Sequence, residues 1–261
     1  MDFMLLKVKS TGGGNVLKEN EELQPLGNGI NVIVSREHHF FTDTILLAHF
    51  SKPKSNETAV DLGTGCGTIP LLWCKENPPK QIYAVEIQKN GADMAQRSVK
   101  LNKLEDKITV LNKDLKILKG QLPFGYFDVV ACNPPYKQLG TGVLSHGQSH
   151  SIIRHESSCT VEDTVKAASD LLRFGGRFCI CLRPERLTDA LTAFRKYKLE
   201  PKRLQMVQQR TNKAPKLFLM EGKRGAKQGG LVVLPALIIE DEKGNYSDEM
   251  MKIYGSFKEI T

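Results

Sequence analysis

From Thr58 onward the chain alternates short β-rich apolar runs with longer segments of helical period. A chain patterned this way is confined to α/β architectures in which helices cover both faces of a sheet. The runs predict strands at Ala59–Leu62, Gln81–Glu86, Ile108–Leu111, Phe127–Cys132, Arg177–Leu182, Arg203–Gln208 and Leu217–Glu221. That is an α/β, doubly wound and mostly parallel seven-stranded sheet. A first helix opens near Ile69 and Pro70, where a first-turn proline loses no needed hydrogen bond. A second spans roughly Asn90–Asn102, with Ala92, Ala95, Val99 and Leu101 forming its apolar face. A third opens at Thr160, whose hydroxyl can cap it while Asp163 reaches back, and it stops at Gly175 and Gly176.

Residues 1–57 precede the alternation and read as an N-terminal extension packing on a 58–261 core domain. Within them Thr11–Asn15 is loop-forming, Ile30–Ser35 alternates like a strand, and Thr42–Ala48 reads as a capped helix. Past Gly229, the Leu231–Glu240 run predicts a further strand and Ser247–Tyr254 a short terminal helix. A length of 261 residues suits one principal core. No apolar run approaches the ~20 residues that span a bilayer, and the start lacks a signal-peptide pattern, so a cytoplasmic protein with no membrane partner is expected.

Six dispersed cysteines, with no CxxC pair and no Cys/His cluster, predict free thiols and no metal. Cys179 and Cys181 read as two buried residues on one face of a strand. The net charge is +8, and residues 183–227 hold 13 basic against four acidic residues, leaving the remainder near neutral. Any polyanion surface should therefore draw on that stretch; each of its residues can equally belong to a solvated charged face.

Asp61-Leu62-Gly63-Thr64-Gly65-Cys66-Gly67 falls where a buried strand turns into a helix. Glycines there permit positive φ and close approach of a ligand to the backbone. Thr68 takes the place of the last glycine in the nicotinamide fingerprint, and no Gly-Lys-Ser/Thr follows, so neither a dinucleotide loop nor a P-loop fits. A fixed Asp61 carboxylate would repel a pyrophosphate but would suit the amino group of a methionine moiety. Glu86, at the end of the second strand, can accept both hydroxyls of a ribose. Asp114 can accept from an adenine amino group or cap a helix. Thr64, Gly67 and Ile87 complete the candidate cofactor-binding set.

Asn133-Pro134-Pro135-Tyr136 follows the fourth strand, at the carboxyl edge where open α/β sheets place their ligands. An amino group conjugated to a purine or an amide is a poor nucleophile, because its lone pair is delocalised. The Asn133 side-chain oxygen and the Pro134 carbonyl can take its two hydrogens and favour a tetrahedral nitrogen facing a methyl sulfonium. Tyr136 can stack on the planar substrate. Asn133 thus counts both among the catalytic residues, with Pro134, Pro135 and Tyr136, and among the cofactor contacts. The alternative is a proline-stiffened turn.

The loop and the Asn-Pro-Pro-Tyr motif together resemble the small-domain class of S-adenosylmethionine methyltransferases. Thr42–Ala48, Val85–Gln88, Ile153–Glu156 and Ala214–Gly222 are similar to the bacterial tRNA1(Val) adenine-N6 methyltransferase family. The resemblance implies a Rossmann-like methyltransferase fold and S-adenosyl-L-methionine as cofactor, held by Asp61, Gly63, Gly65, Glu86 and Asp114. It implies catalysis by Asn133-Pro134-Pro135-Tyr136, and as product N6-methyladenosine beside the anticodon of a tRNA, at position 37. The substrate partner would be the anticodon stem-loop, whose bases are partly unpaired and cost little to extrude.

Arg154 and His155 could meet a phosphate, close over the base or brace their loop. Lys213 and Lys216 are expected to meet RNA phosphates, and a monomer is expected. Lys137 stands where an aromatic often follows the tyrosine, and the first forty residues match the family poorly; both departures bear on substrate choice. Enzymes methylating glutamine in release factors and DNA adenine methyltransferases share the tetrapeptide. The former carry a Pro-Arg-Pro-Glu-Thr segment that this chain lacks. A non-catalytic RNA-binding module retaining the fold is the remaining alternative.

Overall fold

The computed structural model describes residues 16–134 and 159–255. The strands are β1 (Glu21–Gly27), β2 (Ile30–Ser35), β3 (Thr58–Leu62), β4 (Gln81–Glu86), β5 (Ile108–Asn112), β6 (Phe127–Cys132), β7 (Leu172–Leu182), β8 (Leu199–Gln208), β9 (Pro215–Arg224), β10 (Val232–Val233) and β11 (Leu237–Ile238). The helices are α1 (Thr42–Ser51), α2 (Thr68–Trp73), α3 (Lys89–Leu101), α4 (Val161–Leu171), α5 (Leu187–Lys196) and α6 (Asp248–Tyr254). β1 and β2 form a separate antiparallel hairpin. The main sheet runs β10-β8-β9-β7-β6-β3-β4-β5, with β11 also pairing β8. Only β9 is antiparallel within it. Seven strands match the expected sheet, and two short ones extend it.

Strand alternation sorts side chains onto two faces. Ala59, Val129, Ala131, Cys179, Cys181 and Leu219 join one apolar cluster with β2, α1, α2, α3 and α6. Val60, Leu62, Val130, Cys132, Phe178, Ile180, Phe218 and Met220 join the other, under α4 and α5. The sheet is thus covered on both sides, as a parallel sheet requires. Cys179 and Cys181 are buried free thiols on one face, as their spacing implied.

Three sequence expectations need revising. The helix opened by Thr160 does carry the capping box with Asp163, but it ends at Leu171, and Gly175 and Gly176 lie inside β7. There Gly175 has φ +78°, and a Cβ on Gly176 would sit 2.8 Å from the Phe127 carbonyl oxygen and 3.0 Å from that of Arg173. These glycines serve a bulge pressed against β6, where the register shifts, rather than a helix stop. α1 has Phe41 at its N-cap and no side-chain cap; Thr42 is already helical, and its hydroxyl meets Tyr254 at 3.2 Å. The Leu231–Glu240 run gives two strands of two residues each, because Pro235 between them has no N–H to donate. The hairpin partner β1 carries no strong alternation, and the sequence did not reveal it.

Candidate active site

Gly63 and Thr64 donate their backbone N–H groups to the Val85 carbonyl at 2.8 and 3.0 Å, which ties the glycine loop to the end of β4. Gly67 has φ +88°, and a Cβ there would lie 3.1 Å from that of Ala95, so the loop closes directly onto α3. Gly65 donates its N–H to Glu86 Oε2 at 2.8 Å, and Gln88 N–H donates to Oε1 at 2.8 Å. The Glu86 carboxylate is buried and fixed by two backbone donors, with lone pairs left for hydroxyl groups. Gly91 completes the wall: a Cβ there would approach Glu86, the Gly65 carbonyl oxygen and the His38 ring at 3.2–3.3 Å.

Asp61 is fully buried at the end of β3. Among the described residues neither of its oxygens, nor the Thr64 hydroxyl, has a hydrogen-bond partner. Burial pushes its pKa up to about 7; the nearby Thr64 hydroxyl opposes the shift without reaching hydrogen-bonding geometry, and the Glu86 charge adds to it. A buried carboxyl without partners is costly in a native fold, and a cationic amino group from a ligand would satisfy it. The orphaned acceptor, the fixed Glu86 and the open loop fit the amino and hydroxyl donors of a nucleoside that carries an amino acid. Cys66, in the same loop, is buried with its thiol raised to about 11, mainly by burial, which makes it a poor nucleophile.

Ile87 is 41% exposed beside Glu86 and offers an apolar surface at the rim. Asn112 holds this corner by donating Nδ2–H to the carbonyls of Glu86 and Ile87 at 2.8 and 3.0 Å. Asp114 caps the short turn at Leu115–Ile117, its Oδ1 accepting the Lys116 N–H at 2.9 Å. Capping engages Oδ1, while Oδ2 faces Lys116 Nζ at 3.7 Å; a carboxylate oxygen in so long an ion pair can still accept from a ligand, so the two roles are compatible.

Asn133 follows β6 and donates Nδ2–H to the Thr44 hydroxyl in the first turn of α1, at 3.2 Å. Because β3 and β6 are parallel neighbours, the glycine loop and Asn133 leave the sheet side by side. Pro134 is half-buried beside it. Pro135, Tyr136, Arg154 and His155 lie outside the described residues. Lys213 sits on the turn of the β8–β9 hairpin and Lys216 is the second residue of β9. β8 runs parallel to β7, so this hairpin projects from the same carboxyl edge as Asn133. Lys216 donates to Gln209 Oε1 at 2.8 Å. Sequence reasoning missed Thr44, His38 and Asn112. Only the first had a local signal, its place in the Thr42–Ala48 segment; the other two are positioned by packing alone.

This sheet order, the glycine loop and the Asn-Pro turn at one edge define a Rossmann-like methyltransferase. Residues 33–198 match the family model of the methyltransferase small domain, and the chain belongs to that family. It is similar to the tRNA1(Val) (adenine(37)-N6)-methyltransferase of Bacteroides thetaiotaomicron, at 31% identity over 69% of this chain and 74% of the relative. A release factor glutamine methyltransferase of Rhodopirellula baltica is 39% identical, but over only 32% of this chain and 27% of its own. A solved structure of a predicted O-methyltransferase from Agrobacterium tumefaciens superposes with a TM-score of 0.65 at 19% identity, covering 83% of this chain and 97% of that one. That last likeness speaks to the fold. Among the described residues, no cluster of His, Cys, Asp and Glu is placed to hold a metal ion, and no helix is long and apolar enough to cross a membrane.

Proposed function

We propose that the protein transfers a methyl group from S-adenosyl-L-methionine to the exocyclic N6 amine of an adenine in tRNA, with position 37 of tRNA1(Val) as the target its relatives suggest. The single observation carrying this reading is the buried Asp61 carboxyl, without a hydrogen-bond partner among the described residues and one strand away from Asn133. When bound, the cofactor supplies an electrophilic methyl on sulfur with a neutral thioether as leaving group. Asp61 would hold its amino group, Glu86 its ribose hydroxyls, and Asp114 with Ile87 its adenine. The loop residues Gly63, Thr64, Gly65 and Gly67 would line its path. Asn133 Oδ1 and the Pro134 carbonyl would accept the hydrogens of the target amine, and Pro135 and Tyr136 would complete the grip. No side chain needs to remove a proton before transfer, so alignment and preorganised dipoles carry the acceleration.

Lys213 and Lys216, with Arg154 and His155, are proposed to hold RNA phosphates beside the site. We take residues 1–57 to be an extension that serves the 58–261 domain, supported by the reach of α1 to Asn133. A monomer working in the cytoplasm, where tRNA is found, fits this reading. Protein glutamine methylation is the weaker reading, because that relative shares only about a third of this chain whereas the tRNA enzyme shares more than two thirds. Incubating the protein with isotope-labelled S-adenosyl-L-methionine and total tRNA, then identifying labelled nucleosides by mass spectrometry, tests the proposal. Labelled N6-methyladenosine is expected; label confined to protein, or to another nucleoside, would sink it.

A further inference from the structure

Asn133 sits against a short chain of hydrogen bonds whose direction is fixed at its far end. Asp43 is buried, and its Oδ1 accepts both the backbone N–H of Thr44 at 2.7 Å and the Thr44 hydroxyl at 3.4 Å. A carboxylate only accepts, so the one hydroxyl proton of Thr44 points toward Asp43. Thr44 Oγ1 then faces Asn133 with lone pairs alone, and it takes Nδ2–H at 3.2 Å. The amide can meet such a partner only through its amino end, which leaves Oδ1 at the opposite corner of the amide plane. The turn carrying this relay is itself braced: Thr44 N–H also reaches the Phe41 carbonyl at 3.1 Å, and the hydroxyl of neighbouring Thr42 meets the buried Tyr254.

We propose that Asp43 and Thr44 are positioning residues that set the polarity of the Asn133 amide, directing its carbonyl oxygen away from α1 and toward the incoming amine. This rests on the reading that Asn133 accepts from an amino group. A reversed amide would present N–H to N–H, a repulsive arrangement at the reacting nitrogen. The first turn of α1, which lies outside the glycine loop and the Asn-Pro-Pro-Tyr motif, is therefore part of the reaction apparatus.

The test compares wild type with Thr44→Val, Thr44→Ser and Asp43→Ala. It measures single-turnover methyl transfer to tRNA at saturating cofactor, cofactor Kd by calorimetry, KM for tRNA, and Tm. Thr44→Val removes the acceptor and should slow transfer about ten- to a hundredfold, with Kd and KM within about twofold of wild type. Thr44→Ser keeps the hydroxyl and should return the rate to within about threefold. Asp43→Ala removes the acceptor that orients the Thr44 hydroxyl, which can then donate to Asn133 Oδ1 and turn the amide round, so its rate should fall as well. Wild-type rates in Thr44→Val or Asp43→Ala, a Thr44→Ser as slow as Thr44→Val, or a loss explained by weakened cofactor or RNA binding would each overturn the proposal. Failure of the functional reading would show in the wild type itself, as absence of methylated adenine; failure of this inference shows only in the ratio of variants to wild type.

Discussion

A carboxyl group sealed from water with neither oxygen hydrogen-bonded among the described residues, as Asp61 is, keeps its proton to about pH 7. In the unfolded chain the same group ionises near 3.8. Between those values the folded state binds the extra proton, so the stability of the ligand-free protein falls as pH rises and the penalty is complete above about 7. The expected loss between pH 5 and pH 8 from this group is about 2–3 kcal/mol. Urea denaturation at the two pH values should show it, and Asp61→Asn should flatten the difference while weakening cofactor binding; an equal pH dependence in the variant would refute the assignment. At the reaction motif, Asn133→Ala should reduce turnover by about 10²-fold or more with cofactor affinity nearly unchanged. Loss of cofactor binding in calorimetry instead would remove Asn133 from its role.

At the scale of elements, α4 is the helix whose start was most legible and whose end was not. Its capping box is a contact within four residues, so Thr160 and Asp163 could be read directly. Thr160→Ala should cost about 1 kcal/mol in urea denaturation, and no change in the midpoint would show that the cap carries no stability. Its end was misread because Gly175 and Gly176 stop a helix in isolation, whereas here the pairing of β7 with β6 claims the chain at Leu172 and uses them as a bulge. The β8–β9 hairpin is the matching case on the functional side. Its sequence shows only basic residues around a turn, but the antiparallel return of β9 carries Lys213 and Lys216 to the carboxyl edge. Reversing both charges should raise the apparent KM for tRNA several-fold and lower the salt slope of binding by about two. An unaltered KM would place the RNA elsewhere.

Across the whole molecule, the 183–227 stretch that reads as one basic segment is split by the fold. Arg183, Arg186, Arg210, Lys213 and Lys216 lie toward the carboxyl edge, Arg186 paired with Asp189 at 3.3 Å and Arg210 with Glu240 at 3.0 Å. Lys198, Lys223, Arg224 and Lys227 lie at the opposite edge, where the Gly225 N–H meets the Lys198 carbonyl at 3.0 Å. Several members are already paired: Arg203 with Glu221 at 2.9 Å, Arg195 with Glu200 at 3.2 Å and Lys196 with Glu162 at 2.7 Å. Neutralising Lys198, Lys223 and Lys227 together should therefore leave KM for tRNA at fixed salt unchanged within about twofold, while the carboxyl-edge pair should not. A rise in KM from the amino-edge triple variant would mean that the RNA wraps the sheet. The sequence by itself determined the strand–helix alternation, the glycine loop with Asp61 and Glu86, and the Asn-Pro-Pro-Tyr turn. Each of these is written in neighbouring residues through periodicity, backbone permissiveness or local hydrogen bonding. Only the tertiary structure decided that Asp61 has no hydrogen-bond partner among the described residues, that Thr44 meets Asn133 across 89 positions of chain, and which basic residues share an edge with the site. Those outcomes depend on long-range strand order and on the packing of α1 against the sheet, and no local run of residues encodes either.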